Sequence, residues 1–343
     1  MVNNIQITGF KCFDYAELML KNFTLLAGQN SKGKTTVIQS IFAMLQNGKN
    51  PFRGEYMNIG KPNELQNAMV GSREIKLYMQ YEDSGQIKER SKIISKNSTT
   101  VSGDDDGKMK VIYCSADRIG VQDTYGKYLG DDIIIGKNCE YVFHYLSAHD
   151  EKSLNLDTDF IYDMESKLTF GGQVDYWLNK IMGYRIKARE IEKSEFIQVL
   201  YSNEKIPFEM RAKNVGTGVT YIAEIVIAAL SCKDGDLLVI ENPEIHLHPS
   251  GQAELVKFFA FLAQCGVQII VETHSDHIYH GIRKSIHLDE IETENVRIYF
   301  FTQDEKGCSV PVNIPIDKEG KALKSPEGLF DQVSKDLDVI LGW

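Results

Sequence analysis

The stretch Gly28-Gln29-Asn30-Ser31-Lys32-Gly33-Lys34-Thr35 constrains the fold of this chain more than any other. Its spacing, G-x-x-x-x-G-K-[ST], is that of a loop whose backbone N–H groups turn inward around phosphate oxygens, a bend that glycine permits. Lys34 would reach the outer phosphates and the Thr35 hydroxyl a Mg2+ ion, with Asn30, Ser31, Lys32 and Thr36 lining the same loop. Such a loop needs a strand before it and a helix after it. Phe23 to Ala27 is a short apolar run that reads as a buried strand. After Thr35 the apolar residues Val37, Ile38, Ile41, Phe42 and Leu45 recur at helical spacing, and Asn47-Gly48 stops the helix.

The rest of the chain is organised around that unit. Ile5 to Phe13 alternates as a half-buried strand followed by a bend. Glu74 to Lys96 is strand-like and reads as antiparallel, and NSTTVSGDDDGK after it has the composition of an exposed loop. MKVIYCSADR reads as a strand ending near Asp117-Arg118. Residues 120–210 mix helical patches (Val174 to Met182) with strand-like ones (Phe196 to Tyr201) and are expected to form an inserted lobe. From 215 onward the order is helix 219–230, strand 236–240, helix 252–265, strand 267–272, helix 276–285 and strand 296–301. Alternation of this kind predicts an α/β protein with a mainly parallel, doubly wound sheet, plus an antiparallel β-subdomain and a mixed insertion. The expected organisation is one domain over 1–343: an N-terminal half 1–119, the lobe 120–210 and a C-terminal half 211–343.

Composition excludes some roles. No apolar stretch approaches the roughly 20 residues of a membrane span, and the opening MVNNIQITGF lacks the pattern of a signal peptide. The cysteines (Cys12, Cys114, Cys139, Cys232, Cys265, Cys308) are scattered without a C-x-x-C pair, which reads as reduced thiols. The expectation is a cytoplasmic protein that does not engage a membrane. A formal net charge of −10 argues against a broadly basic nucleic-acid coat, although a local basic groove is invisible in the sum.

Three further elements carry chemistry. In DLLVIENPEIHLHP the run Leu237 to Ile240 reads as a strand buried on both faces, delivering Glu241 to the edge of the sheet where ligands collect. A carboxylate there can hold Mg2+ directly or through water. A hydrophobic strand ending in Glu is common, and it is the phosphate loop that gives this one meaning. In VETHS, His274 ends another apolar strand and could bond a terminal phosphate, where a lone histidine is more often structural. In NVGTGVT, Gly216 and Gly218 open a helix and expose N–H groups to an anion, or simply form a glycine-rich turn.

Taken in order, these motifs resemble those of an ABC-type P-loop ATPase head, and more narrowly of the SMC/RecF/OLD-like AAA ATPases. The opening segment (Ile5, Ile7, Phe10, Phe13), the phosphate loop, ENPEIHLHP and ETHSDHI are all similar to theirs, and IDKEGKALKSPEGLFDQ resembles the C-terminal end of one bacterial ATPase family of that group. Only the 120–210 lobe stands outside the resemblance. It implies ATP and Mg2+ as ligands, with Lys34 and Thr35 as phosphate and metal contacts and Glu241 as the Walker B acid. Gly216, Gly218 and Thr220 would be signature residues reaching ATP held by a second subunit, and His274 the switch histidine. It also implies a nucleotide sandwiched between two heads in a homodimer or higher oligomer.

Two departures matter. The acid that follows Walker B in many relatives is Asn242 here, and an amide cannot take a proton from water at neutral pH. Glu244 would act as the base instead, or would be a salt-bridge partner at the next helix. In the second case hydrolysis is slow and the protein mainly a nucleotide switch. The second is the Q-loop glutamine, which the motifs do not place: Gln122, after the Asp117-Arg118 strand end, is the first candidate and Gln80 the alternative. The glycine-rich motif and ENPE differ from a transporter's usual motifs, no heptad stretch makes a coiled-coil arm, and the tail beyond His274 is too short for an added nuclease domain. The expectation is a compact ATPase, of the kind found in bacterial anti-phage defence, whose effector lies in another chain. A RecF-like ATPase that binds DNA in repair is the alternative.

Overall fold

The computed structural model describes residues 1–104, 109–136, 138–151, 161–162 and 167–342. Strands β1 (Val2–Phe10) and β2 (Phe13–Met19) form a hairpin that turns at Lys11-Cys12, so the predicted strand and bend are followed by a return strand. Strand β3 (Phe23–Gly28) leads through the phosphate loop into helix α1 (Lys34–Leu45). Next come β4 (Ile75–Asp83), β5 (Gln86–Ile94) and β6 (Thr99–Gly103), which join the hairpin in a five-stranded sheet of order β2-β1-β4-β5-β6. The segment expected to be a loop is therefore partly a strand. Its backbone pairs with β5 while most of its side chains stay exposed, which is why its composition reads as loop. Residues 105–108 of that expectation lie outside the described residues.

Strand β7 (Val111–Cys114) ends before Asp117-Arg118, because the chain turns at Ser115 to bring a backbone amide to the site described below. The 120–210 region contains β8 (Tyr125–Gly126), α2 (Val142–His149), α3 (Phe170–Met182), β9 (Arg185–Glu190), β10 (Phe196–Asn203) and β11 (Ile206–Arg211). Its four strands form an antiparallel sheet centred on β10. Trp177, Val174 and Tyr201 share one core cluster with the helices of the parallel sheet, so the lobe is packed on the body.

The C-terminal half runs α4 (Thr217–Leu230), β12 (Leu237–Glu241), α5 (Pro249–Gln264), β13 (Gln268–Thr273), α6 (Asp276–His287), β14 (Val296–Gln303), β15 (Ser309–Asn313) and α7 (Gln332–Leu341). The central sheet has six strands in the order β15-β14-β3-β13-β12-β7. All neighbours are parallel except β15, which returns antiparallel to β14.

The apolar runs of this sheet are explained by burial on both faces. Leu25, Leu238, Ile240, Ile269 and Val271 enter one core, under the helices and the lobe. Their neighbours Leu26, Leu237, Val239 and Ile270 enter the other, under α1 and the five-stranded sheet. Successive strand residues point to opposite faces, so a strand between two cores carries an apolar run, with the polar Glu241 and Glu272 towards the strand ends.

The second core holds the phosphate-loop helix in place. Val37, Ile38, Ile41 and Phe42 of α1 are buried in it. At the other end of α1, Lys92 on β5, only 2% exposed, donates from Nζ to Ala43 O at 2.8 Å and Gln46 O at 2.5 Å. A cation on the last carbonyls complements the helix dipole and satisfies acceptors that the helix leaves open. Removing the ammonium while keeping much of the stem tests this. Lys92→Met should cost about 2 kcal/mol of stability in urea unfolding, through stranded buried carbonyls. A loss below about 0.5 kcal/mol would assign the capping to water instead.

Candidate nucleotide-binding site

The loop between β3 and α1 needs its glycines. Gly33 has φ 100°, and a Cβ there would lie 2.8 Å from both Cys12 Sγ and Phe13 of the β1–β2 turn. The opening hairpin therefore presses directly on the phosphate loop. Ser31 also takes positive φ (60°), and Asn30 and Ser31 are exposed at the loop tip. Lys32 Nζ donates to Gln303 at the end of β14, and Cys12 Sγ lies 3.7 Å from Thr36 Oγ1. Because α1 starts at Lys34, the amides of its first turn have no partner within the helix, the arrangement that binds anions. Lys34 is 3% exposed and donates to Gly28 O (3.0 Å) and Gln29 O (2.8 Å). Burial lowers its pKa, opposed by Glu272 and Glu244 nearby.

The acids come from the neighbouring strands. Register places Glu241, the last residue of β12, directly beside Glu272 of β13. Glu241 accepts hydrogen bonds from Tyr113 Oη (2.8 Å) and Ala116 N (3.1 Å). Burial and the adjacent Glu241 push the Tyr113 phenol far up, so it remains a donor. Thr35 Oγ1 donates to Glu272 Oε1 at 2.9 Å. Burial, and next the charge of Glu241, raise Glu272 to about 7.

Past β12, Asn242 adopts φ 45° and donates its N–H to Glu272 O (2.8 Å). Glu244 Oε1 accepts from His274 N at 2.8 Å. His274 is exposed at the strand end, yet partial burial of its ring, then Lys34, lowers its pKa and favours the neutral form. Lys34, Thr35, Glu241, Glu244 and His274 thus belong to one network, with Glu272 at its centre.

The donor chemistry fits Mg2+, which takes oxygen ligands and keeps several waters. Glu272 Oε2, Glu244 Oε2 and Asn242 Oδ1 are buried without a hydrogen-bond partner among the described residues. Such atoms in a native site call for an ion, a water or a ligand. No group of three or more His, Cys, Asp or Glu forms a metal cage among the described residues. Thr35 and one or two carboxylates would hold the ion, with phosphate oxygens completing its shell.

The glycine-rich helix start stands apart from these acids. Gly216 and Thr217 are exposed, and Gly218 packs against the 242–248 turn. Thr220 departs from the expectation: it is fully buried, and its hydroxyl accepts from Tyr201 Oη of the lobe at 3.2 Å. Thr220 therefore faces the core, whereas Thr217, three residues earlier, faces outward. Gln122 is exposed beyond β7, and Gln80 lies in the outer sheet, bonded to Glu89.

Sequence reasoning passed over Glu272, although it read VETHS for its histidine. The signal was present: an acid ending a buried strand beside another strand that also ends in an acid. It also passed over Lys11, at φ 50° in the turn against the loop, whose Nζ donates to Gln39 of α1 at 2.9 Å.

A parallel sheet carrying this loop and these acids defines a P-loop ATPase head. A family model described as an AAA ATPase domain matches residues 1–169 and 156–279, and the chain belongs to that family. The match runs through the lobe that the sequence reading left outside its resemblance. A second model, described as a protein of unknown function, matches residues 291–340, including the IDKEGKALKSPEGLFDQ tail. No curated protein matches the chain in sequence.

Among solved structures, the chain is similar to an SMC head bound to the C-terminal winged-helix domain of ScpA (TM-score 0.60, 11% identity, 92% of this chain and 98% of that one). It is also similar to the SMC head domain from Thermotoga maritima (TM-score 0.53, 9% identity, 92% and 99% covered). A third is the Pyrococcus furiosus SMC head with an extended coiled coil, bound to the C-terminal domain of ScpA (TM-score 0.56, 9% identity, 99% of each chain). At such identities the likeness is one of fold: this chain has the SMC-head fold. No helix among the described residues is long and apolar enough to cross a membrane.

Glu272 makes stability depend on pH. It binds its proton more tightly in the folded chain than at the ordinary value of 4.5, so its contribution is complete below that pH and lost as the pH rises through about 7. Thermal melts of nucleotide-free protein from about pH 5 to about pH 8 should show this decline, and Glu272→Gln should make it shallower, leaving the share of buried Glu224 and Asp175, raised to about 7 and about 6. An equal slope in the variant would place the titration elsewhere.

Proposed function

We propose that the chain is a Mg2+-dependent ATPase head that closes with a second copy over shared ATP and switches a partner effector, in bacterial anti-phage defence. The observation that carries the ATPase reading is the convergence of Lys34, Thr35, Glu241, Glu272, Glu244 and His274 in one network at the C-terminal ends of parallel strands. Ligands of open α/β sheets bind at that edge.

Bound Mg2+ supplies charge neutralisation on the phosphates and helps orient the terminal one. The chain's own groups do the rest. The first-turn amides of α1 and Lys34 hold the phosphate oxygens, and Thr35 with Glu272 and Glu241 holds the metal's side of the site. Asn242 orients the attacking water through its amide, and Glu244, fixed by the His274 amide, takes the water's proton as the terminal phosphate leaves the diphosphate. Neutral His274 bonds the terminal phosphate oxygens as a donor. The exposed Gly216-Thr217 start of α4 is the surface offered to ATP on the second copy.

The likeness to heads whose structures include ScpA supports control by a separate protein, and the defence role rests on the resemblance of the motifs. ATP turnover by wild type and Lys34→Ala, each with and without linear duplex DNA, tests the reading. Lys34→Ala should weaken ATP binding by about 100-fold or more and abolish turnover. Glu244→Gln should trap an ATP-bound pair visible by size-exclusion chromatography. Turnover independent of Lys34 would overturn the site assignment. Turnover stimulated by DNA, with a salt slope showing several phosphate contacts, would move the function to DNA repair. Nucleic acid cut by the protein alone would remove the separate effector.

A further inference from the structure

We propose that Arg118 and Tyr221 couple the start of α4 to the turn carrying Asn242 and Glu244, so that covering one sets the position of the other. This rests on the reading above, in which the start of α4 meets a second copy and the turn carries the hydrolytic groups.

The turn is held from one side by a single guanidinium. Arg118 is 4% exposed and donates from Nη1 to Glu241 O (2.8 Å) and Ser115 O (3.0 Å), and from Nη2 to Asn242 O (3.1 Å). Two consecutive carbonyls at the end of β12 are thus gripped by one planar fork, a geometry that arginine supplies and lysine does not. The turn needs such a grip, because Asn242 and His246 both lie in the left-handed region, at φ 45° and 61°. Non-glycine residues stay in that region when their surroundings over-determine them.

The same guanidinium lies over the ring of Tyr221 on α4, with Cζ 5.4 Å from the centroid. The other side of the turn also meets α4. The His246 ring packs on Tyr221 at 5.6 Å, and the His246 carbonyl would lie 2.4 Å from a Cβ at Gly218. Glu224, fully buried, accepts the Gly120 amide at 2.9 Å and lies within electrostatic reach of Arg118. Gly218, Tyr221 and Glu224 are spaced by three residues and share one face of α4. That face, which begins one residue after the exposed Thr217, clamps Arg118 and His246 together. Arg118 touches none of the phosphate-loop contacts described above, so it is a positioning residue.

Hydrogen–deuterium exchange of residues 242–248, followed with ATP affinity and turnover kinetics, tests the coupling in Arg118→Ala, Tyr221→Leu and Tyr221→Phe. Tyr221→Leu alters a different element, yet it should speed exchange in 242–248 by about tenfold. Arg118→Ala and Tyr221→Leu should lower kcat by about 100-fold with KM changed by less than about threefold. Tyr221→Phe keeps the ring and should match wild type. Unchanged exchange in 242–248 with Tyr221→Leu overturns the proposal. So does faster exchange spread through the whole parallel sheet, which marks general loosening. If Arg118→Ala does not fold, the Tyr221 pair decides alone. A wild type without Lys34-dependent turnover sinks the ATPase reading, while the exchange comparison still tests the coupling.

Discussion

Two carboxylates side by side at the ends of adjacent buried strands set the terms for the rest of this site. The parallel register of β12 and β13 leaves no freedom in placing Glu241 next to Glu272. Like charges at that separation cannot both be ionised cheaply in a buried place. The protein treats the two differently. Glu241 receives a phenol and a backbone amide, and the chain leaves β7 early to provide the second. Glu272 keeps a raised pKa and takes the Thr35 hydroxyl, which links the phosphate-loop helix to the middle of the sheet. A divalent cation brought there would convert the repulsion into attraction, since a bound metal is the largest local charge in its site.

Much of this was legible in the sequence, for identifiable reasons. Strands β3, β12 and β13 announce themselves because each lies between two cores and carries an apolar run through its middle. The phosphate loop is legible because its backbone conformation demands glycine. The outer sheet is less so: β6 is an edge strand whose side chains mostly face water, and nothing in its composition distinguishes it from a loop. The burial of Thr220 was hidden for a related reason. Helix spacing gives a face, yet only the packing of Tyr201 from β10 shows which face turns inward. Glu272 and Arg118 act through neighbours more than 100 positions away, a relation that no local pattern encodes.

The SMC-head fold is shared at about a tenth of identical residues, so this architecture constrains residue identity weakly. The particulars of this head are local: an amide at Asn242 directly after Glu241, an acid at Glu272, and a lobe that shares its core with the parallel sheet. Function on a shared fold is decided by such details.

The buried Lys92 has an implication for dissecting this protein. It makes the five-stranded sheet an end-stop for α1, and the hairpin that begins that sheet also presses on Gly33 at the other end of the helix. The helix that presents the phosphate loop is therefore spanned lengthwise by a second sheet, like a beam seated at both supports. A trimmed catalytic core lacking that sheet would keep every nucleotide-facing residue and lose the frame that aligns them.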